Sequence, residues 1–284
     1  ATLGWPTTLH SALSMERHPL NYVQCSQCTH IWNKDFSYRN VPYTEKPNRM
    51  FNAGDHWKNY IYALQAKLAA TLPNSPTVIE IGCGEGHFVR GLAKQFNGRG
   101  KFVGFDPNGS NESGREIEFV PSYFDAERDI KKFKPDLIIM RHVLEHLEAP
   151  RQFVEKIAYW SSCLEKSVSF AAETPCVDKA LKNGRIVDFF YEHPSQFTSK
   201  SFATLLKSAG KLNWVEKGYG DEVIAGVIRL GLSDRVIKQS DVAKKFFERA
   251  KIRESKLKEQ LNKLSEDHRV IVIWGGTGKA ATFM

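Results

Sequence analysis

The sequence predicts an α/β fold: a mostly parallel sheet with helices on both faces, a small N-terminal lobe before it and the start of a second nucleotide-fold unit after it. Three observations predict it. From residue 77 onward short apolar runs alternate with helical periods. The run TVIEI passes straight into a glycine loop and a helix. DLIIM is apolar without alternation, as a strand covered on both faces must be.

The elements follow in order. Residues 1–40 show little periodicity and carry the CxxC pair Cys25 and Cys28. HWKNYIYALQAKLAATL (56–72) repeats apolar residues at three- and four-residue steps, which predicts a helix, and PNSP (73–76) ends it. TVIEI is a buried-type strand, GHFVRGLAKQF a helix closed by NGRG, and KFVGF a second strand. A Gly-, Ser- and Asn-rich loop (107–114) precedes the short strand EIEFV, and DLIIM is the next strand. APRQFVEKIAYWSS is a helix and SVSFAAE a strand. SKSFATLLKSAG (199–210) is a helix with Thr198 or Ser199 as cap and Gly210 as stop. KLNWVEKGYG and EVIAGVIRL close the sheet. Residues 234–268 form a charged amphipathic helix with Phe246, Phe247, Leu257 and Leu261 among its apolar positions, a domain connector. RVIVIWGGTGKAATF reads as strand, glycine turn and helix start. The boundaries expected are 1–50 for the lobe, 51–232 for the main domain, 233–268 for the connector and 269–284 for the second unit. The opening without Met and the stop at ATFM predict a fragment at both ends.

Composition narrows the class. With 284 residues, 42% hydrophobic and 25% charged, the chain is an ordinary globular one. No apolar run reaches the ~18 residues of a membrane span, and ATLGWPTTLH lacks the features of a secretory signal. Five scattered cysteines do not form a disulfide framework. A cytoplasmic protein is expected. The formal charge of +8 suits an anionic partner without choosing one.

VIEIGCGEGHF (78–88) carries the strongest chemical signal. Glycines there let the backbone turn sharply and approach a ligand, and the following helix start favours anionic groups. A dinucleotide loop wants G-x-G-x-x-G, but His87 stands where its third glycine belongs. The pattern Glu80-x-Gly82-x-Gly84-x-Gly86 resembles motif one of the S-adenosylmethionine-dependent methyltransferases of the Rossmann-like class I fold. The resemblance implies that the loop wraps the amino-acid end of S-adenosyl-L-methionine. It also implies that Asp106, ending the second strand, holds the ribose hydroxyls, a task suited to a bidentate acceptor. It places Phe124 and Asp125 of SYFDAER near adenine, and Arg141 and His142 of IMRHVLEHLEAP near the reactive end of the cofactor. Glu145 and His146 follow on the same turn, as site residues or as a local structural pair.

FFYEHPSQFT (189–198) sets a phenol, a carboxylate and an imidazole side by side before a proline. With ETP (173–175) before it and a helix ending in AG after it, the run resembles the sugar C-methyltransferase family. WPT near the start, CxxCxHxxN (25–33), the glycine loop, YEH, YGDE (219–222) and WGGTGKAATF fall in that family's order across nearly the whole chain. The resemblance implies a zinc-binding lobe, a central methyltransferase domain and a C-terminal Rossmann-like domain, acting on a nucleotide-linked keto-deoxysugar. Carbon becomes a nucleophile only once a proton beside a carbonyl is removed. His193 is then the expected base, Glu192 its orienting group or a sugar ligand, and Tyr191 a donor to the oxyanion. Tyr43 in NVPYTEK is the matched further tyrosine.

The chain departs from that pattern in its metal lobe. Only Cys25 and Cys28 are present where four ligands are needed, so a structural zinc would draw on residues before the first one or on His10, His18 or His30. The alternative functions are methylation of oxygen or nitrogen on a small metabolite, nucleic-acid methylation, and a non-catalytic scaffold. A nucleic-acid enzyme would want a proline pair and an aromatic stacker where this chain has MRHV, so no nucleic-acid partner is expected. The long helix leaves an oligomer open.

Overall fold

The computed structural model describes residues 8–14, 16–41, 54–109, 117–231 and 234–270. The chain divides by packing between Ser233 and Asp234, and each unit is described by itself.

The first unit begins with α1 (Leu9–Leu13) and an antiparallel hairpin, β1 (Tyr22–Gln24) and β2 (Ile31–Asn33), whose turn holds the two cysteines of the CxxC. Helix α2 (Asp55–Ala69) leads into the parallel run β3 (Thr77–Ile81), α3 (His87–Lys94), β4 (Lys101–Phe105), β5 (Ile117–Val120), α4 (Ala126–Phe133), β6 (Leu137–Arg141), α5 (Pro150–Ser162) and β7 (Ser169–Pro175). Then come α6 (Asp178–Asn183), the two-residue strand β8 (Ser195–Gln196), α7 (Ser199–Ser208) and the hairpin β9 (Gly210–Gly218) and β10 (Val223–Leu230). The central sheet has seven strands in the order β5-β4-β3-β6-β7-β10-β9. Its first five strands are parallel, and β10 enters antiparallel between β7 and β9. This is the Rossmann-like class I methyltransferase architecture expected from the sequence.

Residue type explains each layer. Val78, Ile79, Glu80 and Ile81 of β3 are all buried, because helices cover both faces of the sheet. One core joins the sheet to α4, α5 and α7 through Ile130, Ile157 and Phe202; the other joins it to α2 and α3 through Leu68, Phe88 and Leu92. A capping box between Thr198 and Ser201 starts α7 as the sequence predicts. Helix α4 is an addition to that reading. Charged residues dominate AERDIKKF, and only Ala126, Asp129, Ile130 and Phe133 turn inward, so it offers little apolar signal.

The N-terminal lobe is joined to the FYEHP corner by hydrogen bonds. β8 pairs with β2, Ile31 opposite Gln196 and Trp32 opposite Ser195, so the corner completes a three-stranded sheet begun by the hairpin. The second unit contributes α8 (Asp234–Glu266), on which Phe246 and Phe247 are exposed. Among the described residues no helix is long and apolar enough to cross a membrane. WPT, Tyr43 and WGGTGKAATF lie outside the described residues.

Candidate active site

The strand order reverses between β3 and β6, and in open α/β sheets ligands bind outside the carboxyl ends of the strands at such a point. The loops that leave β3, β4 and β6 there hold Gly82, Gly84, Gly86, Asp106, His142, Glu145 and His146.

Gly82, Gly84 and Gly86 have φ of 69°, 54° and 76°, the left-handed region that side chains rarely adopt. A Cβ on Gly82 would strike Val143, and one on Gly86 would strike Phe119, so packing also demands glycine there. At Gly84 a Cβ would meet nothing within 4 Å: the backbone there faces open space. The carboxylate of Asp106 stands beside it, accepting Gly84 N–H at 2.9 Å and Asn108 N–H at 2.8 Å. An open glycine backbone beside a half-buried carboxylate fits the amino-acid and ribose ends of S-adenosylmethionine. Glu80 serves the loop from behind. It is 3% exposed and accepts Val89 N–H at 3.0 Å, satisfying a donor of the first turn of α3. Burial raises its carboxyl to about 7, partly offset by Arg141.

The two expected adenine neighbours divide. Asp125 caps α4, accepting Arg128 N–H at 2.8 Å, while the ring of Phe124 packs edge-on against Phe105 in the core. Phe124 is therefore placed to shape the wall from within, whereas exposed Tyr123 is its solvent-side neighbour.

Arg141 and His142 end β6 against a carboxylate that the sequence reading did not single out. Glu173 on β7 is 1% exposed and collects Arg141 Nη2 at 2.7 Å, Arg141 Nε at 3.1 Å, the Tyr60 hydroxyl at 2.5 Å and His142 Nε2 at 2.9 Å. Its sequence signals are the ETP run (173–175) and a charge inside the apolar run SFAAETP. Trp57 and Tyr219 add rings beside Tyr60, and the Arg141 guanidinium lies over Phe88 at 4.3 Å. His142 has φ of 51°, a strained conformation for a side-chain-bearing residue, of the kind that clusters at functional sites. Burial lowers its pKa, but the carboxylates of Glu145 and Glu173 outweigh that and raise it to about 9.

The Glu173 cluster yields a pH prediction. Burial pushes its carboxyl up, but Arg141 first and His142 next outweigh burial and bring it from 4.5 to about 2. A lowered folded-state value stabilises the fold above about 4.5, and that contribution is lost as pH falls through about 2. Glu173→Gln is expected to remove about 3 kcal/mol at pH 7 and to flatten the acid limb of stability. Urea unfolding at pH 7 and pH 3 checks this: the gap between variant and wild type should shrink at the lower pH.

The FYEHP corner separates its three chemical groups. Tyr191 is 3% exposed, and its hydroxyl accepts Ser37 N–H and Asn40 Nδ2–H, each at 2.9 Å. Its ring lies against His18 and Phe36. The expected oxyanion donor is thus a tie to the N-terminal lobe, because the lobe folds over that side of the corner. Tyr22 OH reaches the carbonyls of Phe190 at 3.0 Å and His193 at 3.1 Å, fixing the turn itself. Glu192 is 3% exposed, and its carbonyl accepts His146 Nδ1–H at 2.8 Å. His193 turns its imidazole toward the loop after β6, edge-on to His146 with ring centroids 4.6 Å apart. Burial is the main reason its pKa falls to about 3, with the His146 charge adding to it. Glu145, 2% exposed, completes the group and accepts the Thr174 hydroxyl at 3.0 Å. Glu145 and His146 both lie in the cluster around His193.

Cys25 and Cys28 are free thiols in the hairpin turn, the Cys25 thiol lowered chiefly by the Cys28 backbone N–H. No third donor joins them among the described residues. His30 packs against Trp32 and Phe197 instead, its pKa lowered by burial to about 4. The two thiols are half of a tetrahedral set.

The model of a family described as a methyltransferase domain matches residues 55–214, more than half of the chain. No curated protein matches the sequence. Among solved structures, a SAM-dependent methyltransferase from Aquifex aeolicus is 14% identical, covers 69% of this chain and 99% of its own, and has a TM-score of 0.44. The N-methyltransferase NodS from Bradyrhizobium japonicum is 14% identical, covering 62% of this chain and 98% of its own at a TM-score of 0.44. The plantazolicin methyltransferase BpumL in complex with SAH is 15% identical, covering 61% and 82% at a TM-score of 0.44. The chain belongs to the methyltransferase-domain family and is an S-adenosylmethionine-dependent methyltransferase.

Proposed function

We propose that this enzyme methylates a carbon next to a ketone, on a nucleotide-linked deoxysugar. The observation that carries the reading is the placement of His193: an imidazole edge-on to His146, beside the buried carboxylate of Glu145, on a corner fixed by Tyr22. S-adenosylmethionine supplies an electrophilic methyl group when bound, and Gly82, Gly84, Gly86 and Asp106 would hold it, with Asp125 and Arg141 at the flanks. The protein's own task is to make carbon nucleophilic. Burial keeps His193 neutral and so able to take the proton beside the ketone, the Glu145 carboxylate favours the imidazolium that forms, and His146 shares the proton within the cluster. His142, held between the carboxylates of Glu145 and Glu173, orients the first of them toward the cluster. Glu192 orients the corner through its carbonyl, and Tyr191 anchors it. Tyr43, a small-molecule nucleotide-sugar partner and a structural zinc at Cys25 and Cys28 are proposed from the family resemblance, and a cytoplasmic setting from the scattered cysteines. The net charge of +8 suits the phosphates of such a substrate.

Wash-in of solvent deuterium tests this. With a keto-deoxysugar nucleotide and S-adenosylhomocysteine, the hydrogen beside the ketone is expected to exchange without turnover. Methyl transfer to oxygen or nitrogen of any tested acceptor, with no exchange at carbon, would replace this reading with that of a small-metabolite O- or N-methyltransferase.

A further inference from the structure

Glu145, His146 and His193 form the one group of three metal-ligating side chains gathered among the described residues. One donor atom from each lies within 4.8 Å of the other two. They come from two loops: a short 3₁₀ turn after β6, Leu144–His146, and the FYEHP corner. We propose that these three side chains bind a borderline divalent ion of the zinc or cobalt type, leaving further coordination positions open.

The supports of each donor argue for it. His146 donates Nδ1–H to the Glu192 carbonyl at 2.8 Å, which leaves the lone pair of the ring on Nε2. An imidazole ligand held through its other nitrogen by a backbone carbonyl is a recurrent arrangement around bound metals. Glu145 Oε2 accepts the Thr174 hydroxyl at 3.0 Å, and Oε1 lies 3.4 Å from His142 Nδ1, so the carboxylate is oriented from outside the cluster. The backbone of His193 is pinned on both sides: its N–H donates to Phe190 at 3.1 Å, and its carbonyl accepts from Tyr22 OH and Gln196 Nε2, each at 3.1 Å. Two imidazoles and one carboxylate suit ions between the hard magnesium class and the thiolate-seeking class. Ion binding here is separate from the question of which substrate is methylated. One consequence does rest on the proposed function: a ring nitrogen that holds an ion cannot accept a proton, so ion and base chemistry at His193 exclude each other.

Cobalt titration of the chelator-treated protein tests the site without substrate. Visible absorption and calorimetry would be followed on the wild type and on a Cys25→Ser, Cys28→Ser double variant, which removes the thiols of the lobe. One cobalt per chain is expected to bind in the double variant. Built into that background, His146→Ala and His193→Ala should each weaken it at least ~10-fold, and Thr174→Val, which spares all three ligands, by roughly 10- to 100-fold. Far-ultraviolet circular dichroism checks that each variant is folded. Failure of the double variant to bind cobalt, or affinity unchanged in folded His146→Ala and His193→Ala, would overturn the proposal. Either result leaves the deuterium experiment standing, and a negative deuterium experiment leaves this site standing.

Discussion

Asp106→Ala is expected to weaken binding of S-adenosylhomocysteine by at least ~100-fold while leaving the protein folded. The carboxylate has two jobs. It holds the loop, through Gly84 N–H and Asn108 N–H, and it presents its remaining lone pairs at the edge of the space that Gly84 opens. Hydrogen bonds to a charged group contribute roughly 1.5–3 kcal/mol each, and two lost from ribose hydroxyls correspond to a hundredfold or more in affinity. Asp106→Asn, which keeps one acceptor oxygen, should fall between the two. The side chain is only partly buried, so thermal unfolding should record only the two lost loop hydrogen bonds, and the larger loss should appear in calorimetric titration. Unchanged affinity in Asp106→Ala would mean that the cofactor lies elsewhere, and the roles proposed for His193 and Glu145 would lose their methyl donor.

What the sequence disclosed follows from how local each signal is. The glycine loop was legible because left-handed backbone is written into three residues of one turn, and Gly82, Gly84 and Gly86 all adopt it. The alternation of β3 to β7 with helices was legible for the same reason: burial on both faces of a strand leaves an apolar run. Glu173 and Tyr60 were not, since they meet across 113 positions by the packing of α2 on the face of the sheet. Nothing in either segment states that distance. Tyr191 shows a subtler limit. Adjacency in FYEHP suggested three groups acting together, yet the turn that Tyr22 fixes sends the phenol to the lobe and the imidazole to the loop after β6. Residue types marked the corner as special; only the pairing of β2 with β8 assigned each side chain its neighbours.

That assignment makes the contrast between two neighbours the second large expectation. His193→Ala should lower the turnover number by roughly 10²- to 10⁴-fold, the usual contribution of a positioned base, with cofactor affinity nearly unchanged. Tyr191→Phe should act on a different quantity. Without its oxygen, the half-buried Ser37 N–H and Asn40 Nδ2–H lose their acceptor, at about 1 kcal/mol of stability, because water replaces that acceptor only in part. An oxyanion donor, by comparison, would be worth about 10²- to 10³-fold in turnover. The two roles therefore separate in one experiment, with turnover and urea unfolding measured on both variants. A stable Tyr191→Phe protein with turnover reduced a hundredfold would return the phenol to the chemistry. A His193→Ala protein that still exchanges the substrate hydrogen would pass the proton to another group, and His146, edge-on at 4.6 Å and sharing the same carboxylate, is the next to replace.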